Sequence, residues 1–183
     1  MAQEGKVRLI LLAEDKRSAT FIRKMIVKLN IGVTDRTIRE RIAPSGKGSG
    51  KAWIDQEFPT ELSAYRSKNY QGNIGLAVAT DADDETVAQR KQKVLAGTKR
   101  EKAEKICLLI PKWSIETWLL HFNGIAVSED EKSKHEFEKK VKDKSVGKEA
   151  EKFVEEFRKF KTGEELVTLP ALEEAYQELS RFI

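Results

Sequence analysis

The stretch Leu76-Ala-Val-Ala-Thr-Asp-Ala-Asp-Asp-Glu85, LAVATDADDE, carries the end of the apolar run NIGLAVAT (residues 73–80) directly into four acids within five residues. A near-continuous apolar run suits a strand covered on both faces, as in a parallel sheet. The same arrangement occurs upstream, where KVRLILLAED (residues 6–15) ends in Glu14 and Asp15. A third run, KICLLIP (residues 105–111), leads into WSIETWLLHF, which carries Glu116. In open parallel sheets, ligands bind beyond the carboxyl ends of the strands. The three strands therefore predict one cleft that receives acids from each.

Helical patterns separate the strands. KRSATFIRKMIVKLN places Phe21, Ile22, Met25, Ile26 and Leu29 on one face and stops at Asn30-Ile-Gly32. Residues 33–52 combine a basic cluster with Pro44 and three glycines, and the pattern predicts a loop. A helix is expected from Phe58 to Tyr70. DADDETVAQRKQKVLAG reads as a helix with acids at its favourable N-terminal end, Asp84 and Glu85 falling in the first turn. Three strand–helix alternations predict a doubly wound α/β fold, a mostly parallel open sheet with helices on both faces.

After about Ser128 the composition becomes Lys/Glu-rich with helical apolar stripes, first Phe153, Val154, Phe157 and Phe160. Pro170 is placed to start the last helix, with Leu172, Ala175, Tyr176, Leu179 and Phe182 inward. The expected organisation is a catalytic α/β unit at 1–125 and a helical cap or partner-binding segment at 126–183. If the cap fails to bury its Phe stripe, a partner protein or a homo-oligomer would cover it.

The 183 residues carry a formal charge of only +4, so the distribution matters more than the total. Residues 1–60 hold 12 Lys+Arg against 7 Asp+Glu, whereas residues 129–183 hold 12 against 15. The excess cations of the first third include Arg36, Arg39, Arg41, Lys47 and Lys51, which read either as a solvated loop or as contacts to a nucleic-acid backbone. The glycine-rich GKGSGK (residues 46–51) fails the phosphate-loop template, which needs Gly at the position of Ser45 and Ser or Thr at that of Ala52.

The lone cysteine, Cys107, excludes an internal disulfide and a cysteine zinc site, and its place in ICLLI predicts core packing. His121 and His135 lack ligand spacing and read as structural or surface residues. Trp113 and Trp118 flank Glu116 and read as packing groups. No apolar run reaches the roughly 18–20 residues of a membrane helix, so no membrane association and a cytoplasmic location are expected.

Several carboxylates in one cleft repel one another unless a cation joins them. Mg²⁺ takes hard oxygen ligands, commonly one or two carboxylates plus substrate phosphate. Asp81 and Asp83, one residue apart at a strand end, with Glu14 from a neighbouring strand, are the candidate ligands for Mg²⁺ or Mn²⁺. Lys112, at the end of the third strand, is a candidate contact to a scissile phosphate. The bland alternative for DADDE is an acid-rich helix start favoured by the helix dipole.

The order of apolar strand then Glu14, helix, long segment, and apolar strand then Asp81-Ala-Asp83 resembles the Toprim domain of topoisomerases, bacterial primases and overcoming-lysogenization-defect nucleases. The segment IPKWSIETWLL is similar to the I-P-x-x-x-I-E-x-W-L stretch of small Toprim-like proteins paired with an ATPase in bacterial antiphage defence. The resemblance covers roughly residues 6–122. It implies Glu14 as metal ligand or general base, Asp81 and Asp83 as ligands and Glu116 as a further acid. It also implies a metal-dependent endonuclease acting on DNA or RNA, with an ATPase partner. The glycine that often follows the family's glutamate is absent from Glu14-Asp15-Lys16-Arg17-Ser18. Two alternatives stay open: a non-catalytic subunit regulated by an ATPase, and a receiver-like signalling module, which LILLAED also resembles.

Overall fold

A computed structural model describes residues 7–46, 48–68, 72–141 and 145–183. The chain runs β1 (Arg8–Ala13), α1 (Lys16–Lys28), a 3-10 turn (Asp35–Thr37), β2 (Ile38–Ile42), α2 (Gly50–Lys68), β3 (Ile74–Ala79), α3 (Val87–Leu95) and β4 (Ile106–Leu109). Four helices follow: α4 (Ile115–Phe122), α5 (Lys134–Lys140), α6 (Gly147–Thr162) and α7 (Pro170–Ser180). The four strands are all parallel, in the order β2-β1-β3-β4. The α/β class and the helices on both faces agree with the sequence reading.

Side chains alternate across the strands and so feed two cores. Leu9, Leu11 and Ala13 of β1, with Ala77, Ala79, Cys107 and Leu109, face α1, α4, α6 and α7. Leu12, Leu76, Val78, Ile106 and Leu108 face α2 and α3. Burying both faces explains why β3 has no exposed residue, and why its run could be recognised without alternation. Cys107 is fully buried within the first core, and that burial pushes its thiol pKa up.

The C-terminal segment shares the first core rather than building its own. Phe153 and Phe157 of α6 and Leu172, Ala175 and Leu179 of α7 join the sheet residues there. Each such buried Phe or Leu side chain contributes roughly 1.5–3 kcal/mol. Phe182 lies so close to β3 that a Cβ on Gly75 would stand 2.2 Å from its ring. Glu178 of α7 reaches the free edge of β4 and accepts from the Leu108 N–H at 3.0 Å.

Three local expectations are corrected. Residues 33–52 hold the 3-10 turn, strand β2 and the start of α2 instead of one loop. The strand is IRERI, and its pairing with β1 (Leu9 with Ile38 through Ala13 with Ile42) overrides its charged composition. As the edge strand it is incompletely buried, so it carries no continuous apolar run. The helix expected from Phe58 begins at Gly50, with Ile54, Phe58, Leu62 and Tyr65 as its inner stripe, and its described extent ends at Lys68; Tyr70 lies outside the described residues. Helix α3 starts only at Val87, because Thr86 caps it, accepting from the Gln89 N–H at 3.1 Å while the Gln89 side chain accepts from the Thr86 N–H at 2.8 Å. Asp84 and Glu85 therefore lie in the preceding turn, outside the helix.

Candidate functional site

From β1 the chain moves to one side of the sheet to form β2, then crosses back over β1 to form β3. The point where the direction of winding reverses lies between the carboxyl ends of β1 and β3, where a crevice must open. Ala13 is paired with Ala79, so Glu14 and the Thr80–Asp81 segment emerge side by side. The Glu14 N–H donates to the Ala79 carbonyl at 3.2 Å. In return, Glu14 Oε1 accepts the Asp81 N–H at 3.1 Å and the Thr80 hydroxyl. Glu14 is thus tied across the crevice to the residue 67 positions away.

Behind Thr80 sits Arg90 of α3, only 1% exposed. Its Nε and Nη2 donate to Thr80 Oγ1 at 3.0 and 2.9 Å, and its Nη1 donates to both oxygens of Asp55 at 2.8 and 3.0 Å. A buried guanidinium aligns the hydroxyl, and the hydroxyl fixes one oxygen of Glu14. Sequence reasoning missed Thr80, Arg90 and Asp55. QRKQ in a polar helix gives no sign that its arginine points inward, although Thr80, lying between the strand and Asp81, could have been suspected.

The acids differ in their partners. Asp15 caps α1, its Oδ1 accepting the N–H groups of Arg17 at 2.7 Å and Ser18 at 2.9 Å, which gives it a structural role. Asp83 adopts a left-handed backbone, φ 53°, and its carboxylate pairs with Lys51 Nζ at 2.8 Å. Glu116, buried on α4, pairs with Arg17, which also pairs with Glu138 at 2.8 Å. The Asp81 carboxylate has no hydrogen-bond or ion-pair partner among the described residues, and neither does Glu14 Oε2.

Burial, together with the nearby charges of Glu14, Asp15, Asp83 and Glu116, pushes the Asp81 pKa well above the ordinary aspartate range. Burial raises the Glu14 pKa as well, opposed by the hydrogen bonds from Thr80 and Asp81 and by the charges of Arg90 and Lys51. Asp81, Glu116 and Arg17 line an open cleft of about 580 Å³ with Lys16, Ser114 and Lys134. Among the described residues no group of three His, Cys, Asp or Glu side chains has metal-binding geometry.

Two predicted cations brace this loop from beneath. Lys112 Nζ donates to the Glu85 carbonyl at 2.8 Å and to the Asp83 carbonyl at 2.5 Å, and it lies 4.1 Å from the centre of the Trp113 ring. Lys51 Nζ donates to the Ala82 carbonyl at 2.9 Å. Gly50 packs at the other side, where a Cβ would stand 3.0 Å from that of Glu14. Arg41 is committed to Glu57 at 2.7 Å and to Glu61. Arg36 and Arg39 stand away from the crevice, toward the amino ends of the strands, and Lys47 lies outside the described residues. His121 contacts Glu156 at 3.2 Å, and Trp118 is fully buried.

Comparison of the chain with protein-family models, with curated proteins and with solved structures finds no match. Among the described residues no helix is long and apolar enough to cross a membrane.

Proposed function

We propose that the protein is a Mg²⁺- or Mn²⁺-dependent Toprim-like endonuclease that hydrolyses nucleic-acid phosphodiester bonds, working with an ATPase partner in antiphage defence. The observation that carries the reading is the unpartnered Asp81 carboxylate at the winding reversal, held against Glu14 and within reach of three further acids. A fold gains nothing in stability from such a group, because burial and like charge both oppose its ionisation. Three free acceptor atoms, two on Asp81 and Oε2 of Glu14, are the donor chemistry that hard divalent cations take.

Asp81 and Glu14 would hold the ion, with Asp83 joining after release from Lys51. When bound, such a cation supplies Lewis acidity toward a phosphodiester oxygen. If the ion rests on the aspartates instead, Glu14, with one oxygen pinned and its pKa raised, is suited to take or return a proton through Oε2. Lys51 and Lys112 hold the 81–85 turn in place from its backbone carbonyls. Arg17 fixes Glu116 at the cleft wall, and Lys16 and Lys134 put positive charge where a phosphate chain would enter.

The test is incubation of purified protein with plasmid, single-stranded DNA and tRNA, with Mn²⁺ and with EDTA. Metal-dependent cleavage by wild type that Asp81→Asn abolishes supports the reading. Equal cleavage by both proteins places the chemistry elsewhere. The pairing of Asp83 with Lys51 and of Glu116 with Arg17 favours a second reading, a regulatory subunit with a retired site. That reading expects no Mn²⁺ binding by calorimetry, even in the presence of a co-purified ATPase.

A further inference from the structure

At the opposite end of the sheet from the acids, Arg8, Arg36, Arg39 and Lys68 surround an open groove of about 330 Å³. All four are exposed, and none has an ion-pair or side-chain hydrogen-bond partner among the described residues. Among the described residues no acid lines the groove. Among the arginines elsewhere, Arg17, Arg41, Arg66, Arg90 and Arg100 each bind one or two carboxylates. Four adjacent unpaired cations repel one another and are not explained by packing.

We infer that this groove is a phosphate-backbone anchor for a nucleic-acid strand. The inference rests on the nuclease reading for its purpose and on the groove's own charge for its evidence. Arginine presents a planar fork suited to phosphate oxygens, and three of the four cations are arginines. The floor includes the partly exposed Ile10, an apolar surface against which the sugar face of a strand can rest. Arg8 opens β1 and Glu14 follows its last residue, Ala13, so Arg8 lies six residue steps from the first acid. At about 3.3 Å per step that separation is roughly 20 Å. Stacked nucleotides rise about 3.4 Å along a strand, so about six nucleotides would link the anchor to the cleft.

This replaces part of the sequence reading. Of the five basic residues singled out there, Arg36 and Arg39 belong to the groove, Arg41 and Lys51 are engaged with protein groups and Lys47 lies outside the described residues, while Arg8 and Lys68 are new. Their strand and helix positions are far apart in sequence, so only the parallel pairing of β1 with β2 and the packing of α2 bring them together.

The experiment measures binding of fluorescein-labelled single-stranded and duplex DNA in EDTA, where cleavage is silent, across a salt series. Arg36→Ala/Arg39→Ala/Lys68→Ala is compared with wild type and with Arg158→Ala/Lys159→Ala/Lys161→Ala, which removes the same charge from exposed positions on α6. The groove variant is expected to lose roughly tenfold or more in affinity at low salt and to flatten the log–log salt slope by about 2 for single strands and about 3 for duplex, as removal of three phosphate contacts requires. Unfolding curves that match wild type exclude misfolding as the cause. Unchanged binding by the groove variant, or an equal loss in the α6 variant, overturns the anchor. If no cleavage is ever found but the groove variant alone loses DNA, the anchor stands and the nuclease reading falls.

Discussion

Two regions take a carboxylate out of bulk water, Glu178 wholly and Asp81 in part, and treat it in opposite ways. At the edge of β4, Glu178 is 5% exposed and fully engaged: Arg100 donates to both its oxygens at 2.5 and 3.0 Å, Leu108 N–H adds a third bond, and Lys91 stands at 3.2 Å. Burial alone would raise its pKa, but these donors and charges outweigh burial and hold it below the usual carboxylate range. At the crevice between β1 and β3, Asp81 faces other acids, and its carboxylate has no donor among the described residues. The chain has the cations to pair a buried acid where pairing serves the fold. Asp81, without one among the described residues, is the group on which the proposed metal site rests.

The largest expected effect separates the two regions by activity. Asp81→Asn is expected to lower Mn²⁺-dependent cleavage by roughly 10²–10⁴-fold, the scale of several kcal/mol of metal-assisted stabilisation. Glu178→Gln, assayed on the same substrate below its unfolding range, should cleave as wild type does. A comparable loss in both variants would erase the distinction.

Stability reverses the ranking. Removing Glu178 leaves Arg100, whose side chain is only 11% exposed, without its carboxylate, so Glu178→Ala is expected to cost about 3–5 kcal/mol. For a chain of this size that is a fall in Tm of roughly 6–20 °C by calorimetry. Asp81→Asn should instead raise Tm in EDTA by about 2–4 °C, the shift that accompanies roughly 1 kcal/mol. Adding Mn²⁺ should raise the Tm of wild type and leave Asp81→Asn where it was. A destabilised Asp81→Asn would mean that the carboxylate has a structural partner.

The smallest effect is the pH dependence, and its sign differs between the regions. Asp81 has a raised pKa in the folded state, so its contribution is full below the unfolded aspartate value of about 3.9 and is lost as pH rises through the folded value. Glu178 has a depressed pKa, so its contribution is full above the unfolded glutamate value of about 4.3 and is lost as pH falls through the folded value. Urea midpoints measured across the acid-to-neutral range should therefore flatten on the alkaline side in Asp81→Asn and on the acid side in Glu178→Gln. Curves parallel to wild type in both would contradict the two assignments.

Legibility followed burial. Strands β1, β3 and β4 were readable because burial on both faces demands continuous apolar runs, and α1, α6 and α7 because their inner stripes repeat at helical spacing. Strand β2 was not, since an edge strand tolerates Arg39, Glu40 and Arg41, and its identity comes from hydrogen bonds to β1. The start of α3 was misplaced because acids favour a helix N-terminus in general, while here Thr86 and Gln89 supply the cap.

The sequence by itself determined the α/β class, the strands that end in acids, and the candidacy of Glu14, Asp81 and Asp83, because those follow from local patterns of apolarity and charge. Tertiary structure decided which of these groups is left without a partner. Asp15 was taken by its own helix, Asp83 by Lys51 and Glu116 by Arg17, while Arg90 reached through Thr80 to orient Glu14. Pairing depends on which side chains the sheet order and helix packing bring within about 3 Å, a distance no spacing along the chain encodes.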